Sequence, residues 1–313
     1  MNIHPLEPLI SQYLVEKDIV KETRELYQTV LKQYVNYLKD HQIMYAETSN
    51  ILDYVEWKKE QGFSSGWIYQ QISTVKGFYR YLKDNQLRLG LPRGYGQDIA
   101  ETIKNVRVKP RLSKAILTPE QGKHLIECTK KNRKYIWQYR DYAMVYLMLT
   151  TALRSIEIRR ARIKDLRFLH KDLVLYIQGK GKQSADDFVK IAPGVGEAIR
   201  DYLKKRKDKN PFLFVSHSQH SDAPYLCRTF FKSMFQRILK DCDLEDTKIT
   251  PHSLRHSAAT FNLLRGSSLE STRKFMRHTS SSVTMIYAHH INKMEDDSEK
   301  QIEDYILKGK TDE

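Results

Sequence analysis

The sequence lacks the features that mark membrane and exported proteins. Its 313 residues contain no run of about 20 apolar residues, the length a helix needs to span a bilayer. The opening residues, MNIHPLEPLISQYL, include early polar and acidic side chains and no apolar core typical of a signal peptide. These absences predict a cytoplasmic protein that does not associate with membranes.

Cysteine is scarce. Cys128, Cys227 and Cys242 are odd in number, far apart along the chain, and match no metal-ligand spacing. Such cysteines are typical of a reduced cytosolic protein, so we expect free thiols and no metal site. No feature of the sequence indicates a cofactor.

Positive charge, in contrast, is in excess and unevenly distributed. The net charge is +15, and residues 1–110 contain 15 Lys and Arg against 13 Asp and Glu, whereas residues 111–313 contain 38 against 25. A basic surface of this kind attracts a polyanion such as DNA. A solvated basic face without a partner is the alternative that composition leaves open.

Apolar periodicity predicts two mainly helical domains. Residues 1–103 contain two clear helical stripes, formed by Leu26, Val30, Tyr34, Tyr37 and Leu38 and by Ile68, Ile72, Val75, Phe78, Tyr79 and Leu82. Residues 104–114, KNVRVKPRLSK, are interpreted as a basic linker. Thr118, Pro119 and Gln121 then form a helix-start signal in a domain spanning residues 115–293. Within it, DLVLYIQ and DFVKIAP predict a strand pair, so the fold class is mainly α with a small β-sheet.

Two predicted helices carry polar faces whose residue types are suited to DNA contact. Solvent exposure without a partner is the alternative for both faces. The first face comprises Tyr69, Gln70, Ser73, Lys76 and Arg80, and the second comprises Arg228, Lys232 and Gln236.

The segment TPHSLRHSAATFNLL has residues suited to phosphate chemistry. Thr250 and Pro251 start a helix, which places His252, Arg255 and His256 on one face. A guanidinium beside imidazoles suits a phosphate whose negative charge grows during a reaction. The two histidines have the spacing of a zinc pair, but a serine follows the first where that motif has glutamate, so no metal is expected.

Two further segments carry candidate site residues. In TTALRSIEIRRARIKDL, Arg154 lies in a tight turn between apolar helices, with Glu157 close enough in sequence to hold it. In MRHTSSSVTMIYAHH, Tyr287 follows His278 by nine residues. Taken alone, each segment also fits a structural role, as a surface arginine with a neighbouring partner or as a packed tyrosine.

Together the segments resemble the tyrosine recombinase, or phage integrase, family. The family pattern is T-G-L-R-x-x-E, a lysine in a β-hairpin, H-x-L-R-H, and G-H with a tyrosine nine residues later. TALRSIE, GKGK, HSLRH and RH with Tyr287 match it in the same order. Ala152 and Arg277 stand where the family has glycine. The second change bears on the placement of His278, because glycine readily adopts the left-handed backbone conformation that ends a helix.

The resemblance implies an enzyme that cuts and rejoins DNA through a 3′-phosphotyrosyl intermediate. Lys180 is its expected general acid, with Lys182 as the alternative, and Glu157 and His256 are expected to support the site. The implied catalytic residues are Arg154, Lys180, His252, Arg255, His278 and Tyr287.

The resemblance also implies a two-domain, C-shaped clamp around double-stranded DNA. The expected partners are inverted-repeat core sites, three further copies of the chain in a tetramer across two sites, and an accessory directionality factor in some settings. Integration or excision of a mobile element is the expected task. The alternatives are chromosome or plasmid dimer resolution, a type IB topoisomerase, and a non-catalytic DNA-binding regulator.

Residues 294–313 form an acidic tail in an otherwise basic chain, with 8 Asp and Glu against 3 Lys and Arg. Ile302, Tyr305 and Ile306 recur at helical spacing and make an apolar stripe. A helix this short needs a surface to dock on. The resemblance implies that this surface belongs to a neighbouring protomer, and docking on the tail's own domain is the alternative.

Truncation after residue 293 tests the tail. We expect one protomer to bind one half-site normally, while cooperative binding to the full site and strand exchange both fall, because the contact between protomers is lost. Gel-shift titrations on half and full sites measure the two effects. Normal cooperativity and strand exchange in the truncated protein would contradict an intersubunit role.

Overall fold

The computed structural model describes residues 4–107, 115–179, 184–218 and 225–277, together with residues 302, 303 and 306. The chain divides into two compact units, Met1–Pro110 and Arg111–Glu313. The division lies within the segment interpreted as a linker. In the described part of the chain, no helix is both long enough and apolar enough to cross a membrane.

The first unit is built around four helices. They are α1 (Leu6–Glu16), α2 (Lys21–Asp40), α3 (Thr48–Glu60) and α4 (Ser65–Asp84). All six apolar residues predicted as a stripe on α4 are buried, as are four of the five predicted on α2, Leu26 being only partly covered. All of these buried residues except Val30 lie in one shared core, which explains why these helices form, since apolar packing stabilises helices more than intrinsic propensity does.

Part of the segment predicted as a linker packs on this first core. The Lys76 ammonium donates a hydrogen bond to the Ile103 carbonyl at 2.6 Å, and the Asn105 amide donates to the Ser73 hydroxyl at 3.4 Å. Val106 packs against the apolar core. Residues 104–107 therefore pack as an extension of the first unit.

The second unit combines seven described helices with one sheet. The helices are α5 (Pro119–Lys131), α6 (Ile136–Thr151), α7 (Ser155–Arg160), α8 (Pro193–Lys205), α9 (Arg228–Asp241), α10 (Pro251–Leu264) and α11 (Leu269–Met276). Thr118 and Thr250 cap α5 and α10 through their hydroxyls, which confirms both predicted helix starts. Helix α6 is buried on nearly every side and packs against α5, α8 and α10, so it forms the centre of this unit.

The sheet has three antiparallel strands in the order β1 (Leu166–Leu169), β2 (Asp172–Ile177) and β3 (Asp187–Lys190). The predicted pair is β2 and β3, with Leu175 opposite Val189. Strand β1 was not expected. It is only four residues long and mostly exposed, and its turn to β2 uses His170 at φ 53° where sequence patterns look for glycine or asparagine.

The expectation of three free thiols is wrong. Cys128 near the end of α5 and Cys242 at the end of α9 form a disulfide, with their Cα atoms 5.8 Å apart. Only Cys227 is free, and it is exposed. The two bonded residues are 114 positions apart in sequence, and helix packing rather than sequence spacing brings them together.

The disulfide gives a stability prediction. Because it closes a long loop, Cys128→Ser should lower the free energy of unfolding by about 4 kcal/mol under oxidising conditions. In excess dithiothreitol, the variant and the unsubstituted chain should be nearly equally stable in urea titrations. Three titratable thiols in the non-reduced, denatured protein, instead of one, would contradict the bond.

Candidate active site

Arg154 is positioned by a sharp change of direction after α6. Ala152 ends that helix in the left-handed conformation, with φ 51° and ψ 30°, and its side chain is fully buried. Arg154 then adopts extended backbone angles as the N-cap residue of α7. Alanine thus keeps the backbone conformation that a glycine would favour, at a cost of about 1–2 kcal/mol for a left-handed L-residue.

The carboxylate of Glu157 holds this turn. Its Oε2 accepts a hydrogen bond from the Arg154 backbone N–H at 2.7 Å, and its Oε1 accepts from Arg154 Nη1 at 2.9 Å. The Arg277 Nη2 also donates to Oε2, at 3.1 Å. The Glu157 side chain is 1% exposed, and a buried carboxylate needs such partners because it has lost its hydration.

Arg255 ties α10 to the same region. Its guanidinium donates to the backbone carbonyl of Ala152 through Nη1 and to that of Met276 through Nη2. The Arg255 side chain is buried, whereas that of Arg154 is 33% exposed. Arg154 is therefore the more accessible of the two guanidinium groups for a ligand arriving from solvent.

The two histidines of α10 lie next to each other. Their rings stack with centroids 4.5 Å apart and planes 25° apart, as expected for residues four positions apart on a helix. His252 is exposed in the first turn, and His256 is half-buried.

Arg277 is the site residue whose role the sequence did not reveal. It ends α11 in the left-handed conformation, with φ 54° and ψ 45°, and its carbonyl accepts from Arg154 Nη2 at 3.4 Å. The helix end therefore retains the geometry that glycine would give it. In the sequence, Arg277 stands out only as a departure from the family's glycine. The feature that could have indicated its role is a cation directly before His278, an expected catalytic residue.

The structure brings together Arg154, Glu157 and Arg255, and adds Arg277. Lys180, Lys182, His278 and Tyr287 lie outside the described residues. Asp187, which begins β3 shortly after Lys180 in the chain, is 3.9 Å from Arg277 Nε. The described part of the chain contains no cluster of three or more His, Cys, Asp or Glu residues arranged to hold a metal ion.

The predicted DNA-contact faces differ from each other. On α4, Tyr69 and Arg80 are exposed, and Gln70 is half-buried beside Thr74. Ser73 and Lys76 instead contact residues 101–105 of their own chain, as described above. On α9, Arg228, Lys232 and Gln236 are all exposed, on the side opposite the buried Phe231, Phe235 and Ile238.

Comparison with known families gives the class of the protein. The model of the phage integrase family matches residues 115–294, and the model of the phage integrase N-terminal SAM-like domain matches residues 7–86. The chain belongs to the phage integrase family. It is a tyrosine-type site-specific recombinase.

Named relatives match along most of the chain. It is 28% identical over 285 residues to tyrosine recombinase XerD of Oceanobacillus iheyensis, covering 88% of this chain and 90% of that protein. It is 30% identical over 230 residues to tyrosine recombinase XerA of Pyrococcus furiosus, covering 73% and 71%.

Solved structures share the fold. The integrase of transposon Tn1549 in complex with transposon right end DNA has a TM-score of 0.67 at 18% identity, covering 89% of this chain and 93% of that one. A lambda integrase dimer bound to a COC′ core site also has a TM-score of 0.67, at 16% identity, covering 92% and 95%.

Glu157→Gln tests the buried ion pairs. Removing this charge leaves Arg154 and Arg277 without their shared counter-charge. The free energy of unfolding should therefore fall by about 2 kcal/mol. This loss is smaller than that for a fully buried pair, because Arg154 is partly solvated. The control is Glu270→Gln, which breaks an exposed pair with Arg273 and should cost less than about 0.5 kcal/mol. Equal losses in urea unfolding would show that burial of Glu157 has no special effect.

Proposed function

We propose that this recombinase binds double-stranded DNA and cleaves one strand at a time through attack of Tyr287 on a phosphodiester. The observation that carries the proposal is the convergence of Arg154 and Arg255 on one helix-end cluster. Two guanidinium groups beside an exposed histidine suit the charge that develops on a phosphate during attack. The basic second unit supports DNA as the partner, as do the DNA complexes of the related integrase structures.

The chemistry divides among the residues as follows. The Tyr287 oxygen forms a bond to phosphorus while the bond from phosphorus to the 5′ oxygen breaks. His252 accepts or relays the tyrosine proton, which must leave because tyrosine has a reference pKa near 10. Lys180 donates a proton to the departing 5′ oxygen. Arg154, Arg255 and His278 bind the nonbridging oxygens, with Glu157 and His256 in support.

The phosphotyrosyl bond conserves the energy of the cleaved phosphodiester. A 5′ hydroxyl from another strand can therefore reverse the step without ATP, and two rounds of exchange recombine two duplexes. Of the alternative tasks, chromosome dimer resolution is favoured over integration or excision, because relatives named XerD match nearly the full length of the chain.

The assembly that we propose is a tetramer on two inverted-repeat core sites in double-stranded DNA. The exposed face of α9 would then lie against DNA. The acidic tail would dock on a neighbouring protomer. In support, Ile302 and Ile306 of its apolar stripe are 57% and 71% exposed in the single chain. We place this assembly in the cytoplasm. An accessory factor, where one takes part, would set the direction of the recombination reaction.

Tyr287→Phe tests the nucleophile. The variant lacks the attacking oxygen, so it should bind DNA with an affinity within about threefold of the parent and form no covalent adduct on a nicked suicide substrate. Denaturing gel electrophoresis of protein and labelled DNA measures the adduct. Tyr45→Phe, which removes the hydroxyl of an exposed tyrosine in the first unit, is the control and should form the adduct normally.

An adduct of normal yield with Tyr287→Phe would contradict the assignment. The unsubstituted protein distinguishes the topoisomerase alternative. A recombinase converts two marked core sites into recombinant products, whereas relaxation of a supercoiled plasmid without any recombinant product would favour a type IB topoisomerase.

A further inference from the structure

Arg277 occupies a backbone conformation that disfavours it. At φ 54° an L-residue costs about 1–2 kcal/mol more than a glycine would. Strained residues of this kind persist when the surrounding contacts compensate, and they cluster at functional sites. The contacts of its side chain therefore indicate what the arginine contributes.

The guanidinium of Arg277 contacts the C-terminal ends of α6 and α11. It is 14% exposed, and its Nη2 donates to Glu157 at 3.1 Å. Longer hydrogen bonds of 3.3–3.4 Å reach the carbonyls of Thr151, Ala152 and Phe275. Carbonyls in the last turn of a helix lack partners within the helix, so one guanidinium satisfies several of them at once.

Arg277 also changes the charge balance around Arg154. A closed pair of Arg154 and Glu157 would be neutral, which weakens its attraction for a phosphate. With Arg277 bound to the same carboxylate, the three groups carry a net charge of +1. Burial lowers the pKa of the Arg277 guanidinium, while Glu157 and Asp187 raise it, and arginine stays charged in proteins.

We infer that Arg277 is a positioning residue of the cleavage site, which holds Glu157 and thereby sets the orientation of Arg154 and the net charge around it. The inference rests on the proposed function in that Arg154 contacts the scissile phosphate. Arg277 itself does not need to touch DNA. A glycine in its place would fit the backbone but would leave Glu157 paired with Arg154 alone.

A second route, through Asp187 to Lys180, which is seven residues earlier in the chain, is weaker. The Asp187 carboxylate is 3.9 Å from Arg277 Nε and half-exposed, and Nε makes no hydrogen bond within the described ranges. The bond to the buried Glu157 is shorter and better shielded from solvent. We therefore assign the effect of Arg277 to phosphate binding rather than to protonation of the leaving group.

Arg277→Gly measures the effect. Single-turnover cleavage of a nicked suicide substrate at saturating protein should slow by about 10- to 100-fold, while half-site affinity stays within about threefold, since the interaction acts in the transition state. Thermal stability should change little, because relief of the left-handed backbone offsets the lost hydrogen bonds. Arg277→Lys should recover part of the rate because it keeps the charge.

Lys274→Ala is the matched control, since it removes an exposed cation from the same helix. It should cleave at the parent rate. If Arg277→Gly did not fold, Arg277→Lys would serve in each comparison that follows.

Combination with Arg154→Ala tests the route. If Arg277 acts through Arg154, the double variant should cleave no more slowly than Arg154→Ala alone. A methylphosphonate at the scissile position has no nonbridging charge to bind, so the Arg277→Gly defect should shrink about tenfold. A 5′-phosphorothiolate, whose leaving group needs little protonation, should leave the defect unchanged.

Three outcomes would overturn the inference: cleavage by Arg277→Gly at the parent rate, full additivity with Arg154→Ala, or rescue by the phosphorothiolate. Parent-rate cleavage by Arg154→Ala is a different failure. It would overturn the proposed role of Arg154 in the function, and this inference with it.

Discussion

The buried carboxylate of Glu157 is the interaction on which the candidate site depends. It fixes the backbone and the guanidinium of Arg154 and also binds Arg277 at the end of α11. Arg255 donates hydrogen bonds to two carbonyls at helix ends, that of Ala152 at the end of α6 and that of Met276 at the end of α11. Three segments that are far apart in sequence are thereby held in one place by charge-assisted hydrogen bonds, which are stronger than neutral ones.

Backbone conformation matters as much as charge in this cluster. Ala152 and Arg277 both adopt left-handed angles at helix ends. The Ala152 carbonyl accepts a hydrogen bond from Arg255, and the Arg277 carbonyl accepts one from Arg154. Such angles are strained for any residue but glycine, so the surrounding packing must enforce them. Ala152 is fully buried in a small apolar cluster with Ala259 and Met276. Packing in this cluster holds the left-handed backbone at the end of α6.

Much of the fold and part of the site could be predicted from local patterns. Apolar stripes, the caps at Thr118 and Thr250 and the strand pair around GKGK depend on residues close in sequence. The contact between Glu157 and Arg154 is equally local. The disulfide of Cys128 with Cys242, strand β1 and the packing of residues 104–107 depend on tertiary contacts that no local pattern encodes. Arg277 was missed for the same reason, since Glu157, Thr151 and Ala152, which its side chain contacts, are 120 or more residues away.

A crystal structure of the Tyr287→Phe variant bound to a half-site DNA gives the most direct test of the account. The account predicts that nonbridging oxygens of the scissile phosphate lie within about 3 Å of guanidinium nitrogens of Arg154 and Arg255, the distance of a charge-assisted hydrogen bond. Glu157 should still accept hydrogen bonds from both Arg154 and Arg277. A scissile phosphate bound away from both arginines, or a Glu157 side chain released from Arg277, would contradict it.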